Sequence, residues 1–253
     1  YWANYVSDTY VHSQEQAGPK RGDRMAVLTN PKIDSLLERT SRSFYPTLKY
    51  LPKKIRGQIG LLYLLARVAD TIADSKHGET EVLLEALSAY NEVAQGRSQT
   101  LPDFMELAEA QTNEHEAELL RNVDDVVEGL KDYDQGDQQR ILSCLDIIIG
   151  GQILDLQRFG MAKEGGSISS LTTDSELDDY AFRVAGCVGV FWTEMSLAHL
   201  IKLSPEDEKI FKEKGVRFGK ALQMINILRD IPEDLRFGRC YIPSEVLQEH
   251  GLK

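Results

Sequence analysis

Cysteine is scarce in this sequence, and long hydrophobic runs are absent. The three cysteines, Cys144, Cys187 and Cys240, are odd in number and widely spaced, which fits reduced thiols in a cytoplasmic protein better than a disulfide framework or a zinc site. We interpret them as packing residues. The apolar stretches at 59–66 and 185–192 fall well short of the roughly 20 residues that a membrane-spanning helix needs. We therefore expect a soluble protein and leave contact with a membrane surface open.

Basic residues are outnumbered, with 29 lysines and arginines against 40 aspartates and glutamates and a net charge of −11 at pH 7. Such a surface repels nucleic acid phosphates unless a strong local basic patch intervenes, and we find none in the sequence. We therefore expect no nucleic acid partner. The histidines lack the spacing of metal ligands, so we assign no metal-binding or acid–base role to His12, His77, His115, His199 and His250.

Apolar residues recur at helical spacing along nearly the whole chain, without the sustained alternation that marks strands. This pattern predicts an all-α, single-domain bundle in which polar groups project into the centre from facing helices. Side-chain caps predict helix starts at Asn30, Thr173 and Ser204. The predicted helices cover 54–73, 79–94, 113–132, 137–159 and a long segment from 173 towards 203.

Residues 1–24 are polar and show neither helical periodicity nor the basic and apolar regions of a signal peptide. We expect them to form an added or disordered N-terminal extension. No repeat of fixed period and no interdomain linker divides the remaining chain. We therefore treat 25–253 as one folded domain.

Two pairs of aspartates have helical spacing. Asp70 and Asp74 are four residues apart, and so are Asp230 and Asp234, with Asn226 one turn before them. Each pair would stand on one face of a helix. Converging carboxylates repel one another when they are buried, so a cation is expected between them. Mg²⁺ typically combines one or two carboxylates with water and phosphate oxygens, and the pattern therefore predicts a magnesium diphosphate site.

The competing interpretation is that each pair is a solvated helix face. We expect such a face at Asp124, Asp125 and Glu128. The second aspartate pair favours a functional site, because Arg229 accompanies it and Gln223 lies nearby on an otherwise apolar segment.

Four segments carry a resemblance to a known family: SRSFYPTLKYLP at 41–52, YLLARVADTIAD at 63–74, YAFRVAGCVG at 180–189 and QMINILRDIPEDLRFGRCYIP at 223–243. In this order and approximate spacing, they resemble the squalene and phytoene synthase family from residue 35 to the C-terminus. Members of that family are all-α isoprenoid synthases with a central cavity, and they join two prenyl diphosphates head to head. The family usually continues for several helices beyond YIP, so the resemblance implies that the chain is incomplete at its C-terminus.

The resemblance implies a role for each acidic pair. Asp70 and Asp74 would hold Mg²⁺, or Mn²⁺, on one side of the cavity, and Asp230 and Asp234 would hold it on the other. Metal-bound diphosphate is a better leaving group because the ions neutralise the charge that develops as the bond breaks. The residues that would complete or support the second metal site are Asn226 and Glu233.

Other residues would bind the substrate. The family's flexible segment, which would grip a diphosphate, maps onto Ser41, Arg42, Ser43 and Phe44. Arg67, one turn before Asp70, either pairs with a diphosphate oxygen or an aspartate, or forms a structural salt bridge. The remaining substrate-binding candidates are Gln223, Asn226, Arg229, Phe182 and Val184.

An ionised prenyl substrate is an allylic cation that water would destroy, so the rest of the wall is expected to be apolar and closed. Aromatic faces can also stabilise its charge. Each wall candidate is by type an ordinary core residue as well. Tyr63 is favoured as a catalytic residue, since it lies one turn before Arg67 and matches a family tyrosine. The candidates are Phe44, Tyr63, Phe182, Val184, Phe191 and Met224.

One position departs from the family pattern. Many relatives carry tyrosine immediately before VAG, where this chain has Arg183. The change puts a proton-handling role at this position in doubt. It leaves three interpretations open: a bacterial subfamily, another diphosphate contact or a different product.

The resemblance implies a squalene synthase-like farnesyltransferase, which converts two farnesyl diphosphates to presqualene diphosphate and then, with NADPH, to squalene. The alternative within the family is a phytoene or dehydrosqualene synthase, which omits the reduction. The alternative of another class is a non-catalytic helical protein that binds a prenyl lipid or acts in assembly. The sequence leaves the oligomeric state open.

Overall fold

A computed structural model describes residues 26–41, 44–75, 79–162 and 165–252 of the 253-residue chain. Within these ranges, the expected all-α fold class is confirmed. The helices are α1 (Pro31–Ser41), α2 (Phe44–Tyr50), α3 (Lys53–Ala73), α4 (Thr80–Ala94), α5 (Met105–Glu109), α6 (Glu114–Arg121), α7 (Val123–Glu128), α8 (Gln135–Phe159), α9 (Asp174–Ala181), α10 (Cys187–His199), α11 (Pro205–Arg236) and α12 (Ser244–Glu249). Across the same ranges, none of these helices is both long and apolar enough to cross a membrane.

The three predicted helix starts are confirmed. The side chains of Asn30, Thr173 and Ser204 accept hydrogen bonds at 2.9, 3.3 and 3.2 Å from backbone N–H groups two or three residues later. These bonds satisfy amides that have no partner within the first helical turn. Caps of this kind are local, which is why the sequence shows them directly.

The predicted continuous helix over 113–132 is wrong. Asn122 interrupts it between α6 and α7, and a 3₁₀ turn (Gly129–Asp132) follows α7. The side-chain amide of Asn122 donates to Glu118 O at 2.6 Å. This local hydrogen bond competes with the regular helical ladder.

The predicted helix from 173 towards 203 is not a single α-helix. A π-helical turn (Phe182–Gly186) separates α9 from α10, which ends at His199. Turns of this kind occur frequently at functional sites. The expectation that strands are absent is also wrong at one point, where β1 (Ser169–Ser170) pairs in parallel with β2 (Arg239–Cys240). Strands this short leave no alternating pattern in a sequence.

Helix α3 lies at the centre of the bundle and packs against α1, α4, α8 and α10. Its Leu61, Leu64 and Leu65 are fully buried. The buried hydroxyl of Tyr90, on α4, donates to Leu65 O at 2.9 Å. The cysteines are buried free thiols, which confirms their interpretation as packing residues. The polar side chains at the two ends of α3 are therefore held on a firmly packed element.

Helices α10 and α11 approach each other backbone to backbone. A Cβ at Gly189 would lie 2.0 Å from Gly215 O, and a Cβ at Gly219 would lie 2.2 Å from Ala185 O. Only glycine fits at such distances. This contact sets the position of α11, and with it the position of the second aspartate pair.

We expect Gly189→Ala to lower the free energy of unfolding by about 1–3 kcal/mol, because the added methyl group would force the two backbones apart. Urea unfolding followed by circular dichroism measures the change. Gly150→Ala on α8 is the control, since its Cβ would meet only Arg183 Nη1, at an ordinary 3.4 Å. Equal stability of the two variants would contradict the close approach.

Candidate functional site

The first wall of the candidate site begins where α1 ends and α2 starts. Arg42 and Ser43 lie outside the described residues. Ser41 is buried and its hydroxyl donates to Leu37 O. Phe44 is buried and stacks on Tyr63, with ring centroids 4.9 Å apart and an angle of 29° between the rings. This stacked pair belongs to the main hydrophobic core and joins α2 to α3.

On α3, the expected polar ladder follows Tyr63 along one helix face. Asp70 accepts a hydrogen bond from Gln152 of α8. Asp74 is the C-cap of α3 and is exposed at its surface. The surrounding protein nevertheless raises the pKa of its carboxyl group, Asp70 adds to the rise and Arg67 opposes it.

Arg67 forms the structural salt bridge that was one of its expected alternatives. Its guanidinium pairs with Glu116 of α6, and both side chains are largely buried. Burial works against the charge of Arg67, but neighbouring negative groups, led by Asp70, outweigh burial and raise the pKa of the guanidinium. The Arg67 Nε is buried and has no hydrogen-bond partner among the described residues.

The second wall is the C-terminal part of α11. Gln223, Asn226 and Asp234 are 1%, 3% and 9% exposed, respectively. Asn226 Nδ2 donates to Gln223 Oε1 at 3.2 Å, while the buried Asn226 Oδ1 has no hydrogen-bond partner in the described chain. Arg229 pairs with Asp230, with Nε and Nη2 at 2.6 and 2.7 Å from the carboxylate oxygens. Successive turns of α11 thus carry the amide oxygen of Asn226, which has no partner among the described residues, the half-buried Asp230 and the buried Asp234.

Besides Arg229, which is exposed, two further candidates on α11 face solvent. Glu233 is exposed, although its charge helps to raise the pKa of Asp234. Met224 is 36% exposed. Neither side chain is enclosed with Gln223 and Asn226 on the buried face of the helix.

Arg239 acts on carboxyl groups of both walls. Burial raises the pKa of Asp74, Asp155 and Asp234, and the positive charge of Arg239 opposes that rise in each. These carboxylates belong to or cap α3, α8 and α11. One carboxylate of each aspartate ladder, Asp74 and Asp234, is therefore within electrostatic reach of the same guanidinium.

The sequence analysis missed Asp155, because no second acid lies three or four residues from it on α8. Its carboxylate accepts a hydrogen bond from Tyr241 Oη, at 2.9 and 3.0 Å from its two oxygens. Burial raises the pKa of Asp155 to about 6, against the opposing effects of Tyr241 and Arg239. Gln152 and Arg239 were missed as well. Arg239 and Tyr241 stand in the quoted segment FGRCYIP, which could have drawn attention to them.

The donor set fits a metal ion whose ligands come partly from water and substrate rather than from protein alone. Among the described residues, no group of three or more histidine, cysteine, aspartate or glutamate side chains is close enough to hold a metal ion. Mg²⁺ commonly uses one or two carboxylates and completes its shell with water and substrate phosphate oxygens. Oxygen donors on two walls, with the orphan Asn226 Oδ1 among them, match that mode of binding better than a closed cage.

The π-helical turn carries three residues of interest. Arg183 Nε pairs with Asp179 at 2.8 Å. The side chain of Arg183 also packs against α8, where a Cβ at Gly151 would lie 2.9 Å from Arg183 Cβ. Phe182 packs against the main core, whereas Val184 packs against the smaller cluster that contains Tyr241. Of the wall candidates in this region, Val184 is therefore connected to the site around Asp155.

Two other expectations are settled by packing. Phe191 is buried within the main core cluster, so it is core rather than wall in the described structure. The solvated face is confirmed, since Asp124 is exposed, Asp125 pairs with Lys32, and Glu128 pairs with Lys131 at 2.6 Å.

Comparisons with known proteins identify the family of this chain. The squalene/phytoene synthase family matches residues 37–253. A presqualene diphosphate synthase of Rhodopseudomonas palustris is 31% identical over 83% of this chain and 61% of its own length. A presqualene diphosphate synthase of Zymomonas mobilis is 29% identical over 84% of this chain and 60% of its own. A bifunctional lycopene cyclase/phytoene synthase of Phaeosphaeria nodorum is 29% identical over 85% of this chain and 34% of its own.

Solved structures show the same fold. TcSQS in complex with a ligand has a TM-score of 0.63 and 21% identity, and the match covers 85% of this chain and 58% of that one. A dehydrosqualene synthase in complex with a ligand has a TM-score of 0.53 and 20% identity over 87% of this chain and 62% of that one. The chain thus spans 34–61% of the length of the three curated relatives.

The raised pKa of Asp155 gives a testable pH dependence. The folded protein binds this proton more tightly than the unfolded chain does, so stability falls as pH rises from about 4, the ordinary aspartate value, to about 6. We expect Asp155→Asn to flatten this fall, measured as the free energy of unfolding in urea over a pH series. The remaining slope would come partly from Asp234, whose pKa burial also raises to about 6.

Asp146→Asn is the control for this experiment, because Asp146 is an exposed carboxylate on the same helix. We expect it to keep the wild-type slope. An Asp155→Asn profile parallel to that of the wild type would show that Asp155 ionises as freely in the folded protein as in the unfolded chain.

Proposed function

We propose, since this chain belongs to the squalene/phytoene synthase family, that it joins two prenyl diphosphates head to head. The proposed substrates are two molecules of farnesyl diphosphate, and the first product is presqualene diphosphate. NADPH-dependent reduction to squalene would follow. The relatives named presqualene diphosphate synthase support the first step. The observation that carries the proposal is that one arginine, Arg239, acts electrostatically on Asp74 at the end of α3 and on Asp234 of α11.

Magnesium, or manganese, is the proposed cofactor. Asp70 and Asp74 would hold it on the first wall, and Asn226, Asp230 and Asp234 would hold it on the second. When bound, the metal neutralises the negative charge that develops on the leaving diphosphate. The oxygen-only donor set and the buried Asn226 Oδ1 without a partner support this assignment. Glu233, which is exposed, would act on the second wall through its charge alone.

Arginines on both walls would orient the diphosphates. Arg67 has its Nε available for a further acceptor, and Arg229 would bring a phosphate oxygen towards its partner Asp230. A guanidinium suits this task because its planar array of donors matches phosphate oxygens. Gln223 would hold Asn226 in position through their side-chain hydrogen bond. We also propose that the diphosphate contacts Ser41, Arg42 and Ser43.

The apolar part of the site would protect the allylic cation. The stacked rings of Phe44 and Tyr63 form a buried surface beside the first ladder, and Val184 lies on the other side, near Tyr241. Such a surface excludes water, and its aromatic faces favour nearby positive charge. Tyr63 is the proposed catalytic aromatic residue because it shares the helix face of Asp70.

We expect Asp70→Asn and Asp230→Asn each to lower kcat by about a hundredfold or more, because each change removes a charged ligand that acts on the leaving group. Turnover of radiolabelled farnesyl diphosphate with Mg²⁺ measures the loss. Asp124→Asn removes the same charge from the solvated face and is expected to leave turnover unchanged. Full activity in either ladder variant would count against the metal assignment.

The non-catalytic alternative is distinguished by binding rather than turnover. The enzyme proposal requires that a non-hydrolysable farnesyl diphosphate analogue bind only when Mg²⁺ is present, with binding weakened in the ladder variants. A helical assembly protein without the activity would show no such metal dependence.

The product requires its own experiment, because relatives named phytoene synthase match this chain about as well as those named presqualene diphosphate synthase. We expect farnesyl diphosphate and Mg²⁺ to give presqualene diphosphate without NADPH, and squalene when NADPH is added, as identified by chromatography and mass spectrometry. A hydrocarbon that is unchanged by NADPH would instead support a phytoene or dehydrosqualene synthase.

A further inference from the structure

We propose that a second site, at the N-terminus of α3, binds a phosphate group. A cavity of about 450 Å³ lies there, and its wall includes Lys53, Lys54, Arg56 and Tyr133. Asp70 follows Arg56 by 14 residues on the same helix, which places it roughly 21 Å away along the axis. The cavity is therefore separate from the two aspartate ladders.

The first turn of α3 is positively charged, as is typical of an anion-binding site. It contains no acidic residue, and its N-cap, Pro52, provides no side-chain hydrogen bond. Pro52 O accepts from the N–H groups of Ile55 and Arg56, and the N–H groups of Lys53 and Lys54 precede the helical ladder. The N-terminus of a helix is its positive end, so cationic side chains there repel it unless an anion lies between them.

Arg56 is a second indication of a ligand, independent of the charge of the helix end. It is only 7% exposed, yet it lines the cavity. Its Nε is buried without a hydrogen-bond partner, and the described part of the chain forms no ion pair with it. A buried charge is costly unless it is paired, so a guanidinium in this position calls for an anion, and the described residues do not provide one.

Two carboxylates that bond to residues of the cavity wall, Asp137 and Asp34, have other partners as well. Asp137 accepts from Gln58 Nε2 at 2.8 Å, and His199 and Arg140 bind its other oxygen. Asp34 is likewise occupied, since one of its oxygens accepts from the N–H groups of Val27 and Leu28 and the other accepts from Tyr45 Oη. Neither acid offers a free oxygen for Arg56.

The remaining wall adds a hydroxyl donor. A Cβ at Gly57 would lie 2.6 Å from Tyr133 Oη, so glycine at this buried helical position gives the hydroxyl room beside the helix end. The lining thus combines a guanidinium, two ammonium groups, backbone N–H groups and a phenol. A phosphate group, with several acceptor oxygens and negative charge, matches this excess of donors and the fork of a guanidinium.

The binding test uses isothermal titration of the whole chain with inorganic phosphate in EDTA, which keeps divalent cations from the ladders. We expect Arg56→Gln, and separately Lys53→Gln with Lys54→Gln, to bind phosphate about tenfold or more weakly, because each change removes charge-assisted hydrogen bonds. Lys131→Gln is the control, since Lys131 is exposed and pairs with Glu128 outside the cavity. The two lysines are exposed, so the double variant tests the site without disturbing the core.

A phosphate group can come from a small molecule or a lipid headgroup, and a second assay distinguishes these. Phosphatidylcholine vesicles with and without phosphatidylglycerol are sedimented with each variant at low and high salt. If the protein binds phosphatidylglycerol vesicles and the Arg56 and lysine variants do not, the ligand is a lipid headgroup. If it binds inorganic phosphate but not vesicles, the ligand is a free phosphate compound. The proposal is overturned if neither ligand binds, or if the cavity variants bind both as well as Lys131→Gln does.

Discussion

Repulsion between partly desolvated carboxylates is the constraint on which the rest of the site depends. Burial raises the pKa of both Asp155 and Asp234 to about 6, so the folded protein holds these groups at a cost when they are ionised. Arg239 offsets part of that cost, but one guanidinium cannot balance several carboxylates. The arrangement persists because the elements that carry it are fixed, α3 by the core and α11 by its contact with α10.

Three buried polar atoms without a hydrogen-bond partner in the described chain lie on or beside the ladders. Gln152 Oε1, Asn226 Oδ1 and Arg67 Nε are buried, and among the described residues none has a hydrogen-bond partner. Each belongs to a ladder or to a residue that contacts one. Buried orphan atoms are rare in native proteins, and each one requires an explanation. Two acceptors and one donor around a set of carboxylates fit a site that is completed by a cation and a phosphate-bearing substrate together.

Local signals made much of this structure predictable, and long-range contacts account for the rest. Helix caps such as Thr173 and the spacing of the aspartate pairs depend on neighbours in the chain, so the sequence shows them. Asn122 breaks a predicted helix because its side chain bonds to the preceding turn, a choice that apolar periodicity does not reveal. The meeting of Asp155 with Tyr241 joins positions that are 86 residues apart, and no single-sequence pattern encodes it.

The charges at both ends of α3 indicate that a ligand binds at each end. Its first turn carries Lys53, Lys54 and Arg56, and its last turn and C-cap carry Asp70 and Asp74. A helix is stabilised by acids at its N-terminus and bases at its C-terminus, so both ends of α3 are charged against the helix dipole. Local choices that oppose stability in a well-packed element are expected where function requires them. Cations at the acidic end and a phosphate at the basic end would each reverse the sign of the local interaction, so that the central helix of the fold becomes more stable as its sites are filled.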